Sequence, residues 1–181
     1  MSSNDNAPKL PAWVAAVHAT SRALGVFSAG LILLGVFVVC QMVFVRAVLG
    51  ESSIWQTEFV TYSLIAATFL GAPYILLTRG HVNVDVLPLM VGIPTRRVLH
   101  FIGSMVALAF CALFLIAALP WWYETWVSGQ TTSTIWRARV WIPYLSVPVG
   151  LALLCLQYVA DVYLVMSRRE LPFGLTAEDH L

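Results

Sequence analysis

The chain has 181 residues, of which 60% are hydrophobic and 10% charged, with a formal net charge of +1 and a mean hydropathy of +0.83. Soluble domains carry about 25% charged residues, so this composition excludes an ordinary water-soluble fold. The near-neutral balance, with no basic tract, gives no support for nucleic-acid binding. The three cysteines, Cys40, Cys111 and Cys155, fall in apolar runs at spacings that match no metal-site pattern, and read as small buried hydrophobes.

Residues 1–9 are polar. In 10–22, Leu10, Trp13, Val14 and Val17 recur at helical spacing among His18, Thr20, Ser21 and Arg22. This pattern predicts a short interfacial helix on the inner membrane surface; an early start to the first span is the alternative. Four stretches then lack Asp, Glu, Lys and Arg entirely: 23–45, 59–78, 98–123 and 140–160. About 20 helical residues cover a hydrocarbon core about 30 Å thick, so each is long enough to cross a bilayer. The expected fold is an all-α integral membrane protein with four transmembrane helices. Its organisation divides as 1–22, an N-terminal tail and interfacial helix; 23–161, the membrane domain; and 162–181, a C-terminal tail. Residues 23–45 are too long for the apolar core of a cleaved signal peptide, and no Ala-x-Ala pattern precedes Arg46, so an uncleaved span is expected.

Small residues punctuate the spans. Gly25, Ala29, Gly30 and Gly35 lie in the first, Ser63, Ala67 and Gly71 stack at fourth positions in the second, and Gly103, Ala107 and Cys111 do so in the third. Such stripes let helices approach closely in lipid, where no hydrophobic drive acts between them. Gln41 and Gln157 are the polar side chains within spans that most need partners, and hydrogen bonds across helices are their expected use. In the fourth span, Pro143 falls in the first turn and Pro148 lies deeper, where it should bend the helix.

With four spans, the termini and the 79–97 loop share one side, which carries Lys9, Arg22, Arg79, Arg96, Arg97, Arg168 and Arg169. The opposite side carries Arg46, Arg137 and Arg139. This bias predicts cytoplasmic N- and C-termini. Trp55, Trp121, Trp122, Trp126, Trp136 and Trp141 then cluster at the outer interface, as amphipathic rings prefer. In the inner loop, 86–94 is apolar but too short to span, and Pro88 and Pro94 interrupt any helix; an interfacial segment is expected.

No nucleophile–base set, phosphate loop or metalloprotease helix is present, so enzyme activity is not expected. Of the four histidines, His18, His81, His100 and His180, only His100 lies inside a span, which leaves no histidine pair at depth to hold haem. His81 and Asp85, four apart, suit a hydrogen-bonded clasp in the inner loop better than a metal or proton-relay site. Glu58, at the outer mouth of the second span, is the best-placed carboxylate, with Arg46, or Arg137 and Arg139, as expected partners. Pathways for ions and charged solutes usually require ionisable groups at depth, and the four runs contain no Asp, Glu, Lys or Arg. A helper subunit is expected rather than a self-sufficient pump.

The segment from Trp55 to Asp85 resembles the small membrane subunit of tripartite ATP-independent periplasmic (TRAP) transporters, the DctQ-type family. The resemblance rests on Trp55-Gln-Thr-Glu58, on Leu70-Gly71-Ala72 and on Gly80-His81-Val-Asn-Val84-Asp85, with Trp141 and Pro148-Val149-Gly150 in the last span. Thr57 stands where the family often has a first carboxylate, so any acidic role there rests on Glu58. The resemblance implies an inner-membrane subunit that scaffolds a large permease subunit. That large subunit carries the sodium and substrate sites, so no cofactor is expected on this chain, and a periplasmic binding protein delivers a small organic acid. Trp55, Glu58, Gly80, His81, Asp85 and Pro148 become the candidates for subunit contact or loop architecture. A membrane anchor for a haem or quinone oxidoreductase is the alternative.

Overall fold

The computed structural model describes residues 11–50, 54–78, 93–134 and 137–167. They form α1 (Ala12–Leu49), α2 (Trp55–Leu77), α3 (Ile93–Val127), the single-turn α4 (Trp141–Tyr144) and α5 (Ser146–Met166). Four stretches are long and apolar enough to cross a membrane, the fourth running through α4 and α5.

The separate N-terminal interfacial helix is not found: the N-terminal part of α1 takes its place, in one helix of 38 residues. Pro11 stands at its start, and no Gly or Pro occurs from Ala12 to Leu24 to interrupt it. Val14 is fully buried with Ala160 and Leu164 of α5, and Val17 packs beside them. The edge of Trp13 meets the Tyr163 ring at 5.3 Å. These contacts hold the first turns upright against α5 instead of flat on the interface. At about 1.5 Å per residue, α1 is about 57 Å long, well beyond a hydrocarbon core. It stops at Gly50, whose left-handed backbone, φ 65°, suits a residue without Cβ at a helix C-terminus.

Register follows from close approaches. A Cβ on Gly25 would overlap the Tyr74 ring, and one on Gly71 would lie 3.3 Å from the Ser28 side chain. Gly25 therefore faces a residue three short of the end of α2, while α1 has thirteen more to run. The N-terminal end of α1 thus projects about 15 Å beyond α2. Extensive packing joins α1 to α2, α2 to α5 and α5 to α3, with a lesser contact between α1 and α5. The long helices make a bent row, with α3 at one end. A cleft of about 420 Å³, lined by Ile65, Phe69, Phe114, Ala117, Trp121 and Val147 among others, separates α2 from α3.

The packed seams repeat every seven residues. Val14, Ser21, Ser28 and Gly35 are buried on α1, with Gly25 beside them. His100, Ser104, Cys111, Ala118 and Thr125 are buried on α3, and Gly150, Gln157 and Leu164 on α5. A seven-residue period keeps one narrow face towards its neighbour in left-handed helix packing, and small side chains on it allow backbones to approach. On α2 the expected stripe Ser63, Ala67 and Gly71 is buried. On α3 the expected stripe is displaced by one position: Cys111 is buried, but Gly103 faces open space with nothing within 4 Å. His100, which meets Asp161 of α5, and the buried Ser104 one turn on set the rotation of α3.

Prolines shape two helices. The break between α4 and α5 falls at Leu145. Pro148, buried at the start of α5, lacks the N–H that would bond Tyr144, and its ring crowds that carbonyl. The Ser146 hydroxyl donates to the Pro143 carbonyl at 2.6 Å, using an acceptor exposed by the interruption. Pro73 lies inside α2 and is buried, so the carbonyl of Phe69 loses its intrahelical donor. Gly150 of α5 sits directly against that carbonyl.

Candidate subunit interface

At the end remote from the termini, the first turn of α2 carries Trp55, Gln56 and Glu58. Gln56 is buried and its amide donates to Gln41 Oε1 on α1. Gln56, Ser63, Ala67 and Gly71 form the buried edge of α2, which meets α1. Residues two apart on a helix point about 200° apart, so Glu58 faces away from α1 and from Arg46. The expected ion pair with Arg46, Arg137 or Arg139 is not formed: Glu58 Oε2 is buried without a hydrogen-bond partner. One turn on from Glu58, the edge of Tyr62 meets Tyr144 of α4 at 6.2 Å. Trp55 is 43% exposed on the outer flank of α2.

The same end is tied together by aromatic rings and a short hairpin. Trp121 stacks on Tyr144 at 4.6 Å, Trp122 on Trp126 at 5.6 Å, and Trp126 approaches Trp141 at 6.5 Å. The Trp122 indole N–H donates to the Trp141 carbonyl at 3.1 Å. Between α3 and α4 the chain doubles back, with Thr131 opposite Arg139. Backbone bonds run from Thr132 N–H to Ala138 O at 3.0 Å and from Val140 N–H to Gln130 O at 3.2 Å. This hairpin closes the far end of α3 onto α4.

At the opposite end, polar side chains join the helices. Ser21 Oγ donates to Gln157 Oε1 at 3.0 Å, both side chains being buried. Gln41 and Gln157 thus both bond across helices. About one turn nearer the termini, His100 Nε2 lies 3.0 Å from Asp161 Oδ2, with side-chain exposures of 8% and 18%. This pair was not foreseen, although one signal for it was present. His100 stands two residues into the third uncharged run and Asp161 is the first charged residue after the fourth, so antiparallel packing brings both to one level.

Removing the Ser21 hydroxyl leaves the buried Gln157 oxygen without this donor. Ser21→Ala should therefore lower stability in detergent by about 1 kcal/mol. Combining it with Gln157→Leu should cost less than the sum of the two single changes, as read from thermal unfolding of all four proteins.

Of the sequence-predicted site residues, Trp55 and Glu58 share the first turn of α2, and Pro148 lies at the start of α5. Gly80, His81 and Asp85 fall outside the described residues, as does the interfacial segment expected at 86–94 apart from its last two positions. Among the described residues no three His, Cys, Asp or Glu side chains gather as a metal site. Gln56 with Gln41, Ser21 with Gln157 and His100 with Asp161 tie helix to helix, whereas Thr61, Thr68 and Thr125 bond within their own helices. By contrast, broad apolar faces of α1 (Leu33, Phe37, Phe44) and α3 (Val106, Phe110, Leu113) are exposed. Such a molecule is built to sit in lipid and to present helix faces, with its polar chemistry spent internally.

A family model described as "Tripartite ATP-independent periplasmic transporters, DctQ component" matches residues 35–168. The chain belongs to this family. Two relatives carry the name C4-dicarboxylate TRAP transporter small permease protein DctQ. The protein from Pseudomonas aeruginosa is 27% identical over 132 residues, 72% of this chain, and that from Rhodobacter capsulatus 23% over 123 residues, 68% of this chain. The alignments cover 63% and 54% of the relatives' own lengths. No solved structure matches the chain. DctQ proteins are components of a membrane transporter and not enzymes, and the haem or quinone anchor is not favoured. The matched range includes Trp55, Glu58, Gly80, His81, Asp85 and Pro148, and it begins at residue 35, leaving out the whole α1 extension.

Proposed function

We propose that this DctQ component is a scaffold: it anchors a large permease subunit that carries out sodium-coupled uptake of a small organic acid delivered by a periplasmic binding protein. The observation that carries this reading is the polarity of the spans. Their interiors hold no Asp, Glu, Lys or Arg, and the two glutamines found there, Gln41 and Gln157, bond one helix to another. A conduction path needs ionisable or exposed polar groups at depth; a scaffold needs rigid helices and free apolar faces. The names of the two relatives make C4-dicarboxylates the first substrates to test. The positive-charge bias supports inner-membrane insertion with both termini cytoplasmic, and the hairpin end would then face the periplasmic binding protein. Trp55 and Glu58 are the contact residues proposed at that end, Pro148 shapes the fourth span beneath it, and Gly80, His81 and Asp85 order the inner loop.

The test separates this chain from its partners. Deleting it while keeping the other components should reduce sodium-dependent uptake of labelled C4-dicarboxylate to background. The chain alone in liposomes should give no flux, and both subunits should co-purify in mild detergent. Sodium-driven uptake by this chain alone, or undiminished uptake after its deletion, would overturn the proposal.

A further inference from the structure

A second cleft opens on the other side of α2. It has a volume of about 480 Å³ and lies between α1 and α4, with α2 as its floor; Phe27, Leu31, Phe59, Ala66 and Ile142 line it, and Arg139 stands in its wall. Its lining runs along α2 from Phe59 to Ala66. Phe27 lies near the middle of α1, whereas Phe59 is in the second turn of α2 and Arg139 is in the hairpin beyond the spans. The cleft is therefore largely apolar, with Tyr62 and Ser63 as the polar residues of its α2 wall, and cationic at its mouth.

The charge around that mouth is one-sided. From Ser128 to Pro143 the chain contains Arg137 and Arg139 and no Asp or Glu. Both arginines are exposed. Neither arginine forms an ion pair with a carboxylate of the described residues, Glu58 included. A largely apolar slot along a membrane-spanning helix, with an exposed guanidinium free of ion pairs at one end, matches one ligand chemistry: an acyl chain joined to a phosphate. Arginine suits phosphate through its planar fork of donors.

We propose that this cleft holds an anionic glycerophospholipid, one acyl chain lying between α1 and α4 against α2 and the phosphate on Arg139. The lipid fills a gap that the side chains leave in the outer half of the row and completes the wall between α1 and α4.

Native mass spectrometry of the full chain purified from membranes tests this. The protein is offered equal amounts of phosphatidylglycerol and phosphatidylcholine with identical acyl chains. One arginine near a headgroup favours the anionic lipid about five-fold. Phosphatidylglycerol adducts should exceed phosphatidylcholine adducts by about that factor, and Arg139→Gln should bring the two to parity. Ala66→Phe, which blocks the slot, should remove both adducts while leaving the melting temperature and elution volume unchanged. Equal retention by the unaltered protein, or an Arg139→Gln preference like that of the parent, would overturn the proposal. So would loss of the lipid from the assembled transporter together with cross-linking of a cysteine at Ala138 to the large subunit, since a partner helix would then own the cleft.

Discussion

Replacing Gly150 by valine should be the most damaging single change in the membrane domain. The cause is a backbone contact that leaves no room to relax. Pro73 deprives the Phe69 carbonyl of its intrahelical donor, and α5 approaches that carbonyl so closely that a Cβ on Gly150 would overlap both its oxygen and its carbon. A Cα–H of Gly150 is the group that fits there, and such contacts recur where helices touch. A valine must push α5 away from α2, opening the contact on which α3 also depends, because α3 packs mainly on α5. Overpacking a tight site costs about 1–3 kcal/mol even where side chains can move; against backbone, Gly150→Val should reach or exceed the top of that range. Gly103→Val is the matched control, because nothing lies within 4 Å of Gly103 and its effect should be near zero. Thermal unfolding in detergent measures both. Equal melting temperatures for the two variants would show that the Gly150 contact has no energetic weight.

Length and charge alone were enough to locate the membrane helices, because an uncharged run of twenty or more residues has few other solutions. Helix ends were harder to read. The polar face of 10–22 looked like a surface helix, since Thr20, Ser21 and Arg22 follow the apolar residues. In the structure Ser21 is a buried tie to Gln157 and Val14 belongs to the α1–α5 core, and neither partner can be inferred without knowing which helices adjoin. Seam register failed for a related reason. Gly103, Ala107 and Cys111 match a four-residue rule, but the seven-residue set through Ser104, Cys111, Ala118 and Thr125 is the one buried, and composition does not distinguish them. Glu58 stands at the start of α2, but the buried Gln56 fixes the rotation of that turn and points Glu58 away from Arg46. His100 was weighed as a haem ligand, whereas its carboxylate neighbour lies sixty-one positions along the chain.

That neighbour underlies the second large effect expected. His100 and Asp161 join α3 to α5 at the end near the termini, while the hairpin and the Trp122–Trp141 bond hold the other end; between them α3 offers mostly small side chains to α5. Replacing one member of a buried hydrogen-bonded pair leaves the other group desolvated without that contact, a cost of about 1–3 kcal/mol or more when burial is complete. Asp161 is 18% exposed, so His100→Leu should cost about 2 kcal/mol, within that range. His100→Leu with Asp161→Leu should be less destabilising than Asp161→Leu and His100→Leu added together, because no polar group is then stranded and two apolar side chains meet in its place. Hydrogen exchange provides the spatial readout. In the His100→Leu protein, amides in the first third of α3 should lose protection, while those between Ala118 and Val127 keep theirs. Additive costs in the double variant, or uniform loss of protection along α3, would mean that this pair does not hold the helix at that end.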